Sequence, residues 1–295
     1  MRAAFLTVLI FALAACAQVP VSTAPPQPLY SFDLLNPGKP DENSAAAFGT
    51  YNLHNRADRD GLAADIRALP FVNTWVFQEF NISSADLQEW NGEHATEARK
   101  PLSDLLPPGR WRGSLMPCNF DGKTWECQVI ASRFQVAGAE TFELEHADPK
   151  RRAALVVWLT LEGMTQVRVI NSDHETALFR LGPRDRAKQL QSLAAYLHSH
   201  ATREPTVLLG DFNTSGNWLQ GYSSIAEIQE TNRILASCGL NPAPLPPTPT
   251  FHWWPASLQL DHIFGGDVRF ISAGVFSGKG SDHLPVWCSI DLYKQ

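Results

Sequence analysis

The stretch Thr206-Val-Leu-Leu-Gly-Asp-Phe-Asn-Thr214 constrains the fold of this chain more than any other. Its three branched apolar residues, 207–209, are typical of a short strand that is buried on both faces. Gly210 permits a close backbone turn, and Asp211 and Asn213 follow two positions apart, so that in extended geometry both side chains project to one side. A carboxylate and an amide aimed at one point can hold a water and a phosphate oxygen. The alternative is an Asx turn that only closes the strand.

The first fifteen residues predict a signal peptide. Arg2 precedes one long apolar run, residues 3–15, which is too short to span a bilayer. The run ends Leu13-Ala-Ala-Cys16, which resembles the lipobox of bacterial lipoproteins and implies that Cys16 is lipidated after cleavage. Ala17 follows, and by the same resemblance we expect export and anchoring to the outer membrane, facing the periplasm. An ordinary signal peptide with an incidental cysteine is the alternative.

Residues 16–45 predict a flexible linker behind the lipidated cysteine. They are rich in Pro, Ala, Ser and Gln and include Pro25-Pro26 and Asn36-Pro-Gly-Lys-Pro40. No later linker is long enough to separate a second domain, so residues 46–295 are expected to form one catalytic domain. We expect a monomer.

Charge and cysteine content set two further limits. The formal net charge of −6 counts against a non-specific nucleic-acid binder, because phosphate contacts dominate the affinity of such proteins. Four cysteines remain besides Cys16, an even number that suits an oxidising compartment and allows three disulfide pairings. Four free thiols are the alternative. These cysteines are Cys118, Cys127, Cys238 and Cys288.

The apolar patterns predict strands that alternate with helices near both ends of the domain and follow one another in its middle. The predicted strands cover residues 48–53, 74–80, 111–116, 126–132, 140–145, 153–161, 166–171, 207–209, 259–264, 268–275 and 286–292. The predicted helices cover residues 60–69, 84–90, 186–199 and 225–236. Because the middle strands lack the crossover helices that a parallel sheet requires, this order predicts an α/β fold in which two packed sheets lie between outer helices.

Polar side chains follow several of the predicted strands. Asn52 closes one strand, and Glu79 closes the next, where a buried carboxylate is costly unless it is paired or binds a metal. Asp282 precedes His283 near the last strand and could fix its tautomer for acid–base chemistry. Asp261 and His174 lie in two further polar clusters, 260–263 and 171–174. Each cluster alone has an ordinary structural explanation.

Taken in order, these clusters resemble the motifs of the endonuclease/exonuclease/phosphatase superfamily, which includes pancreatic deoxyribonuclease, neutral sphingomyelinases and inositol-polyphosphate 5-phosphatases. The matching motifs are Thr50-Tyr-Asn52, Gln78-Glu79, Ser132-Arg-Phe134, the strand end at 171–174, Gly210-Asp-Phe-Asn213, Leu260-Asp-His-Ile-Phe264 and Ser281-Asp-His283. The resemblance implies a four-layer α/β/β/α sandwich of two mainly antiparallel mixed sheets, and hydrolysis of phosphoesters that depends on a divalent metal.

The resemblance also implies roles for individual residues. Glu79, Asn52 and Asp282 would bind Mg²⁺, with Mn²⁺ or Ca²⁺ as alternatives. Asp211 would orient or deprotonate the attacking water, and Asn213 would hold the phosphate. His283, oriented by Asp282, would contact the phosphate and take part in proton transfer. Asp261 would support the site from behind.

One position departs from the family pattern. The family strand ends Asn-x-His, whereas here Asp173 lies two residues after Asn171 and His174 comes one later. Strict alternation aims His174 at the opposite face. We expect a one-residue bulge to restore His174 as a catalytic residue, although the ungapped alignment places Asp173 there.

The predicted activity is that of a Mg²⁺-dependent phosphodiesterase or nuclease acting on a phosphate-ester substrate, nucleic acid or phospholipid. A phospholipid or sugar-phosphate phosphohydrolase is the first alternative, and Trp253-Trp254 could then stack on bases or enter lipid. Packing of the two indoles on the core is equally consistent with the sequence. A binding protein of the same fold with a weakened site is the second alternative.

Overall fold

The computed structural model describes residues 29–36, 46–54, 58–145, 151–161, 165–174, 182–200, 204–214, 226–253 and 256–292. The helices are α1 (Arg59–Arg67), α2 (Ser84–Gln88), α3 (Ala95–Ala98), α4 (Lys100–Ser103), α5 (Gly182–Ser199) and α6 (Ala226–Ser237). None of these described helices is both long and apolar enough to cross a membrane.

The strands form two large sheets and one small ribbon. Their bounds are β1 (Tyr30–Asn36), β2 (Ala46–Asn52), β3 (Thr74–Ser83), β4 (Gly109–Phe120), β5 (Thr124–Ser132), β6 (Gln135–Glu143), β7 (Ala153–Thr160), β8 (Gln166–Asp173), β9 (Thr206–Asp211), β10 (Asn241–Pro242), β11 (Phe251–Trp253), β12 (Ala256–Leu258), β13 (Asp261–Gly266), β14 (Val268–Val275) and β15 (Val286–Leu292).

The first sheet has the order β1-β4-β5-β3-β2-β15-β14, and the second has the order β10-β13-β9-β8-β7-β6. Each contains one parallel pair, β2–β3 in the first and β8–β9 in the second, and the other pairs are antiparallel. The predicted pair of mainly antiparallel mixed sheets is confirmed.

Three apolar layers hold the sandwich together. Side chains such as Phe48 and Val169 fill the space between the two sheets. Ile66 and Trp75 pack between the first sheet and its helices, and Leu193 packs between the second sheet and α5. In β9, Val207 and Leu209 face the first sheet while Leu208 faces the helices, which confirms that this strand is buried on both faces.

The folded domain begins before residue 46, so the predicted linker is too long. Strand β1 pairs along its whole length with β4, and it buries Phe32 and Leu34 against the first helical layer. The amide of Asn36 donates to the carbonyls of Ser103 and Leu106, at 2.8 Å each. The alternation of buried and exposed residues in 30–36 is therefore that of an edge strand. Cys16 and the rest of the predicted linker lie outside the described residues.

The four described cysteines are free thiols. Cys118 packs between the two sheets whereas Cys127 packs against the helices on the other face, so the two sulfurs lie on opposite sides of the first sheet. Cys238 packs in the helical layer beyond the second sheet and Cys288 between the sheets. The free-thiol alternative is correct, and the expected disulfides are absent from this part of the chain.

Candidate active site

The candidate site lies where the two parallel pairs end beside each other at one edge of the sandwich. The side chain of Gln78 in β3 donates to Asn171 Oδ1 in β8 at 2.8 Å, and Asn171 donates back to the Phe77 carbonyl at 2.8 Å. A second connection runs from Asn52 Nδ2 in β2 to Asp211 Oδ2 in β9 at 3.0 Å. The two sheets are thus joined by hydrogen bonds at the point where the predicted site residues converge.

Glu79 reaches the site because β3 is bulged there. The pairing of β3 with β5 shifts register between Phe77 and Phe80, and Glu79 has a φ of +54°, which is uncommon for a residue with a side chain. Its Oε1 accepts from Asn52 Nδ2 at 3.1 Å, and its side chain stays 16% exposed. Strained backbone of this kind costs about 1–3 kcal/mol and is common at functional sites.

The turn after β9 is both an Asx turn that closes the strand and part of the candidate site. Asn213 N donates to Asp211 Oδ1 at 2.9 Å, which is an Asx turn, while Asp211 Oδ2 remains directed at the site. Gly210 has a φ of +148°, and a Cβ there would lie 1.9 Å from the carbonyl oxygen of Ser172. Only glycine therefore allows β9 to approach β8 closely enough to place Asp211.

His283 lies between two buried carboxylates. Its Nδ1 is 2.8 Å from Asp261 Oδ2, and its Nε2 is 3.7 Å from Asp211 Oδ2. Burial favours the neutral ring, but the charges of Asp261, Asp211 and Asp282 and the hydrogen bond that the ring donates to Asp261 outweigh burial and raise the pKa of His283 to about 10. The imidazole is therefore protonated at neutral pH, with Nε2 directed toward Asp211.

The prediction that Asp282 orients His283 is wrong, because Asp261 makes that contact. Asp261 is fully buried and lies opposite Asp211 in the pairing of β13 with β9. The Asp282 side chain instead accepts from Ser281 Oγ at 3.3 Å and lies 3.6 Å from His54 Nδ1. It is 29% exposed, at the solvent side of the site near Glu79.

The predicted bulge at His174 is also wrong. Strand β8 keeps continuous register with β7 and with β9, where Asp173 pairs with Asp211. His174 thus faces the helical layer, where its ring contacts Phe212 at a tilt of 38° and its Nε2 lies 2.9 Å from Ser172 Oγ. Burial lowers its pKa to about 3, so the ring is neutral. Only its backbone serves the site, since its carbonyl accepts from Asn213 Nδ2 at 3.0 Å.

Asp173 lies at the position where the family resemblance predicts a histidine. It forms a row with Asp211 and Asp261 across three neighbouring strands, all directed toward the first sheet. Its Oδ2 is 3.1 Å from Arg152 Nη1, and both side chains are buried. Burial and the neighbouring carboxylates outweigh Arg152, so the pKa of Asp173 is raised well above that of a free aspartate. Sequence reasoning missed Arg152, because it belongs to no motif and precedes β7 by one residue.

Asp65 is a second functional residue that belongs to no sequence motif. Its carboxylate accepts from the backbone N–H groups of Lys279 and Gly280, at 2.9 and 2.7 Å, and from the hydroxyl of Tyr51 at 2.8 Å. It thereby ties α1 to the loop that leads to Asp282 and His283. A buried acid in a helix that begins Arg59-Asp-Gly offers no local pattern that indicates this role.

Two groups of side chains carry the kinds of atoms that bind metal ions, and only the second suits Mg²⁺. Among the described residues, Asp211, Asp261 and His283 offer three ligand atoms close together. That cluster is fully buried and its imidazole is already hydrogen-bonded, which leaves no room for the waters that Mg²⁺ retains. Glu79, Asn52 and Asp282 present oxygen donors at the partly exposed edge of the site, and this donor chemistry fits a hard divalent cation.

Comparison with known proteins gives the family. The sequence profile of the Endonuclease/Exonuclease/phosphatase family matches residues 49–283, and the chain belongs to this family. Members of the family are phosphoester hydrolases and generally use a divalent metal. No curated protein matches the chain.

Solved structures show the same fold at low sequence identity. An endonuclease/exonuclease/phosphatase from Beutenbergia cavernae is 20% identical with a TM-score of 0.62, over 85% of this chain and 72% of that one. D. rerio TDP2 complexed with a single-stranded DNA product is 14% identical with a TM-score of 0.59, over 84% and 100%. The human Nocturnin catalytic domain with bound sulfate is 17% identical with a TM-score of 0.58, over 89% and 97%.

Proposed function

We propose that this protein is a Mg²⁺-dependent phosphodiesterase or nuclease. The observation that supports it best is the convergence of Asn52, His283 and Asp211 from both sheets on one point. Asn52 Nδ2 and His283 Nε2 lie 3.0 and 3.7 Å from Asp211 Oδ2. The second distance is too long for a hydrogen bond, so Asp211 does not take up the Nε2 position of His283, which can contact a group that lies beside both side chains.

Glu79, Asn52 and Asp282 would hold the metal, Mg²⁺ first and Mn²⁺ or Ca²⁺ as alternatives. When bound, the ion neutralises charge that develops on the phosphate and on the leaving oxygen. Asn52 also donates hydrogen bonds to both Glu79 and Asp211. It therefore fixes the distance between the proposed metal ligand Glu79 and the proposed base Asp211.

Asp211 would deprotonate the attacking water. Burial raises the pKa of this carboxyl, although His283, Asn52 and the Asn213 N–H act against the shift, and a raised pKa makes the carboxylate a better base. The water oxygen forms a bond to phosphorus, its proton passes to Asp211, and the bond between phosphorus and the leaving oxygen breaks. Protonated His283 would donate from Nε2 to a phosphate oxygen, and Asn213 would donate its second amide hydrogen.

Asp173 makes this site different from one that has an imidazole donor at the same position. A lone carboxylate there would repel the substrate phosphate. Arg152 supplies the opposite charge, and the raised pKa of Asp173 makes protonation of this carboxylate, and so a hydrogen bond donated from it, easier than for a free aspartate. The proposed activity therefore does not require a histidine at this position.

Hydrolysis of a substrate panel with and without Mg²⁺ tests the proposal. Plasmid DNA, RNA and bis-p-nitrophenyl phosphate are the diester substrates, and Asp211→Ala and His283→Ala are expected to abolish turnover without unfolding the protein. Full activity in either variant would refute the assigned roles. A folded protein that cleaves nothing in any arm would instead favour the binding-protein alternative.

A phospholipid or sugar-phosphate phosphohydrolase is the second candidate, and a cleft beside Glu79 favours it. The cleft has a volume of about 100 Å³, and it joins apolar side chains such as Leu62 and Phe80 to the polar groups of Arg59 and Asn81. An amphipathic leaving group suits such a lining. Sphingomyelin, phosphatidylinositol phosphates and a sugar phosphate are therefore added to the same panel. Hydrolysis of these substrates in preference to DNA and RNA would favour this candidate over a nuclease.

We also propose that the chain is exported, lipidated at Cys16 and anchored as a monomer in the outer membrane, facing the periplasm. The support is the apolar run and lipobox-like ending of residues 1–16. Incorporation of radiolabelled palmitate that is lost in Cys16→Ser, together with outer-membrane fractionation, tests the anchor. Equal labelling of the variant would contradict it.

A further inference from the structure

His54 lies beside the proposed metal ligands Glu79 and Asp282 and has no assigned role. It follows the end of β2 by two residues, and its N–H donates to Asn52 Oδ1 at 3.0 Å. Its Nδ1 lies 3.6 Å from Asp282 Oδ1 and 3.9 Å from Glu79 Oε2. The side chain is 42% exposed and its backbone has a φ of +40°.

The spacing of these atoms is not that of hydrogen bonds. A hydrogen bond between nitrogen and a carboxylate needs about 2.7–3.2 Å, and both distances exceed it. Two ligands of one octahedral ion, each about 2.1 Å from the metal, are about 3.0 Å apart. Movements of less than about 1 Å would bring each of these carboxylate oxygens to that distance from the His54 nitrogen. Carboxylate oxygens of Glu79 and Asp282 both lie within 4 Å of the same His54 nitrogen, so His54 is the group close to both.

The surrounding backbone holds His54 in this position. Asn52 fixes its N–H, and Ser281 Oγ donates to the Asn52 carbonyl at 2.9 Å, which connects His54 to the loop bearing Asp282. Asp65 anchors the same loop through Lys279 and Gly280. The cleft lined by His54, Glu79 and Arg59 opens beside the ring and offers room for the waters of a partly hydrated ion.

We propose that His54 is an additional ligand of the metal bound by Glu79 and Asp282, and that its imidazole raises the affinity of the site for Mn²⁺ or Zn²⁺ by more than its affinity for Mg²⁺. This rests on the metal dependence proposed above. Imidazole nitrogen is a softer donor than carboxylate, and Mg²⁺ takes oxygen ligands almost exclusively. An all-oxygen site would not discriminate against Mg²⁺ in this way.

Mn²⁺ binding to the full chain without substrate tests the proposal. Pulsed EPR should detect a directly coupled ¹⁴N nucleus in the wild type and in His94→Ala, a matched control that removes an exposed histidine elsewhere. His54→Ala should lose the coupling, and its Kd for Mn²⁺ should rise by about ten-fold or more, since even outer-shell changes cost that much. Its Mg²⁺ affinity, measured by competition, should fall less.

Three outcomes would overturn the assignment: no bound Mn²⁺, bound Mn²⁺ without nitrogen coupling, or equal Mn²⁺ affinity in His54→Ala. Thermal melts of both variants check that they are folded. Because the His54 side chain is 42% exposed, we expect its removal to leave the fold intact, so that lost binding reports the loss of a ligand. Failure of the proposed activity gives a different result, since nitrogen-coupled Mn²⁺ would then bind to a protein that hydrolyses nothing.

Discussion

Replacing Arg152 with methionine should destabilise the protein strongly, because it leaves Asp173 buried without its cation. The side chains of Arg152 and Asp173 are 3% and 7% exposed, and the nitrogen–oxygen distance is 3.1 Å. Removing one partner of a buried pair costs about 3–5 kcal/mol. The exposed pair of Lys100 and Asp104, at 68% and 57%, provides the control, and Lys100→Met should cost about 1 kcal/mol or less.

The loss in Arg152→Met should also depend on pH. Without Arg152 the folded-state pKa of Asp173 rises further, and an acid whose folded pKa exceeds its unfolded value loses stability as pH rises through the folded pKa. The deficit should therefore be larger at pH 8 than at pH 5, and Arg152→Met/Asp173→Asn should recover part of it.

Urea denaturation of the four proteins at both pH values measures these differences as changes in the free energy of unfolding. A loss below about 1 kcal/mol in Arg152→Met would refute the claim that the pair is buried and electrostatically coupled. A deficit that shrinks between pH 5 and pH 8 would refute the proposed cause.

Three further predictions address single contacts. Asp261→Asn should lower the pKa of His283 by about 1–3 pH units, measured by NMR titration of the ring, whereas an unchanged pKa would exclude Asp261 as its partner. Gly210→Ala should cost about 3 kcal/mol or more in thermal or urea unfolding, because the new Cβ overlaps the Ser172 carbonyl; a neutral result would contradict the close approach of β8 and β9. His174→Gln should keep the kcat of the folded enzyme within about three-fold, since only the backbone of residue 174 serves the site; a loss of about a hundred-fold would restore it to the catalytic set.

The fold and the meeting of Asn52, Glu79, Asp211 and His283 could be predicted because each residue lies within a recognisable motif beside a short apolar strand. Their side chains meet through hydrogen bonds and close contacts, as the motif order implied. The chemical roles remain predictions. The edge strand β1 was missed because its alternating pattern lies inside a stretch rich in proline and alanine.

The remaining errors arise where contacts in the fold differ from closeness in sequence. Asp282 is adjacent to His283 in sequence, but its side chain lies near His54, and the partner of His283 comes from β13 through its register with β9. Alternation along β8 turned His174 to the helical layer and left Asp173 at the site. Arg152 and Asp65 act through tertiary contacts that no local pattern encodes.

The most direct test of the central claim is single-turnover hydrolysis of a diester substrate by wild type and Asp211→Asn at saturating Mg²⁺. Asparagine keeps the shape of the side chain but cannot take the proton from water, so we expect a loss of about a hundred-fold or more in the chemical step. Both proteins should have matched circular dichroism and matched Mn²⁺ affinity. An Asp211→Asn variant that hydrolyses the substrate at the wild-type rate, or a wild type equally active in excess EDTA, would contradict the account.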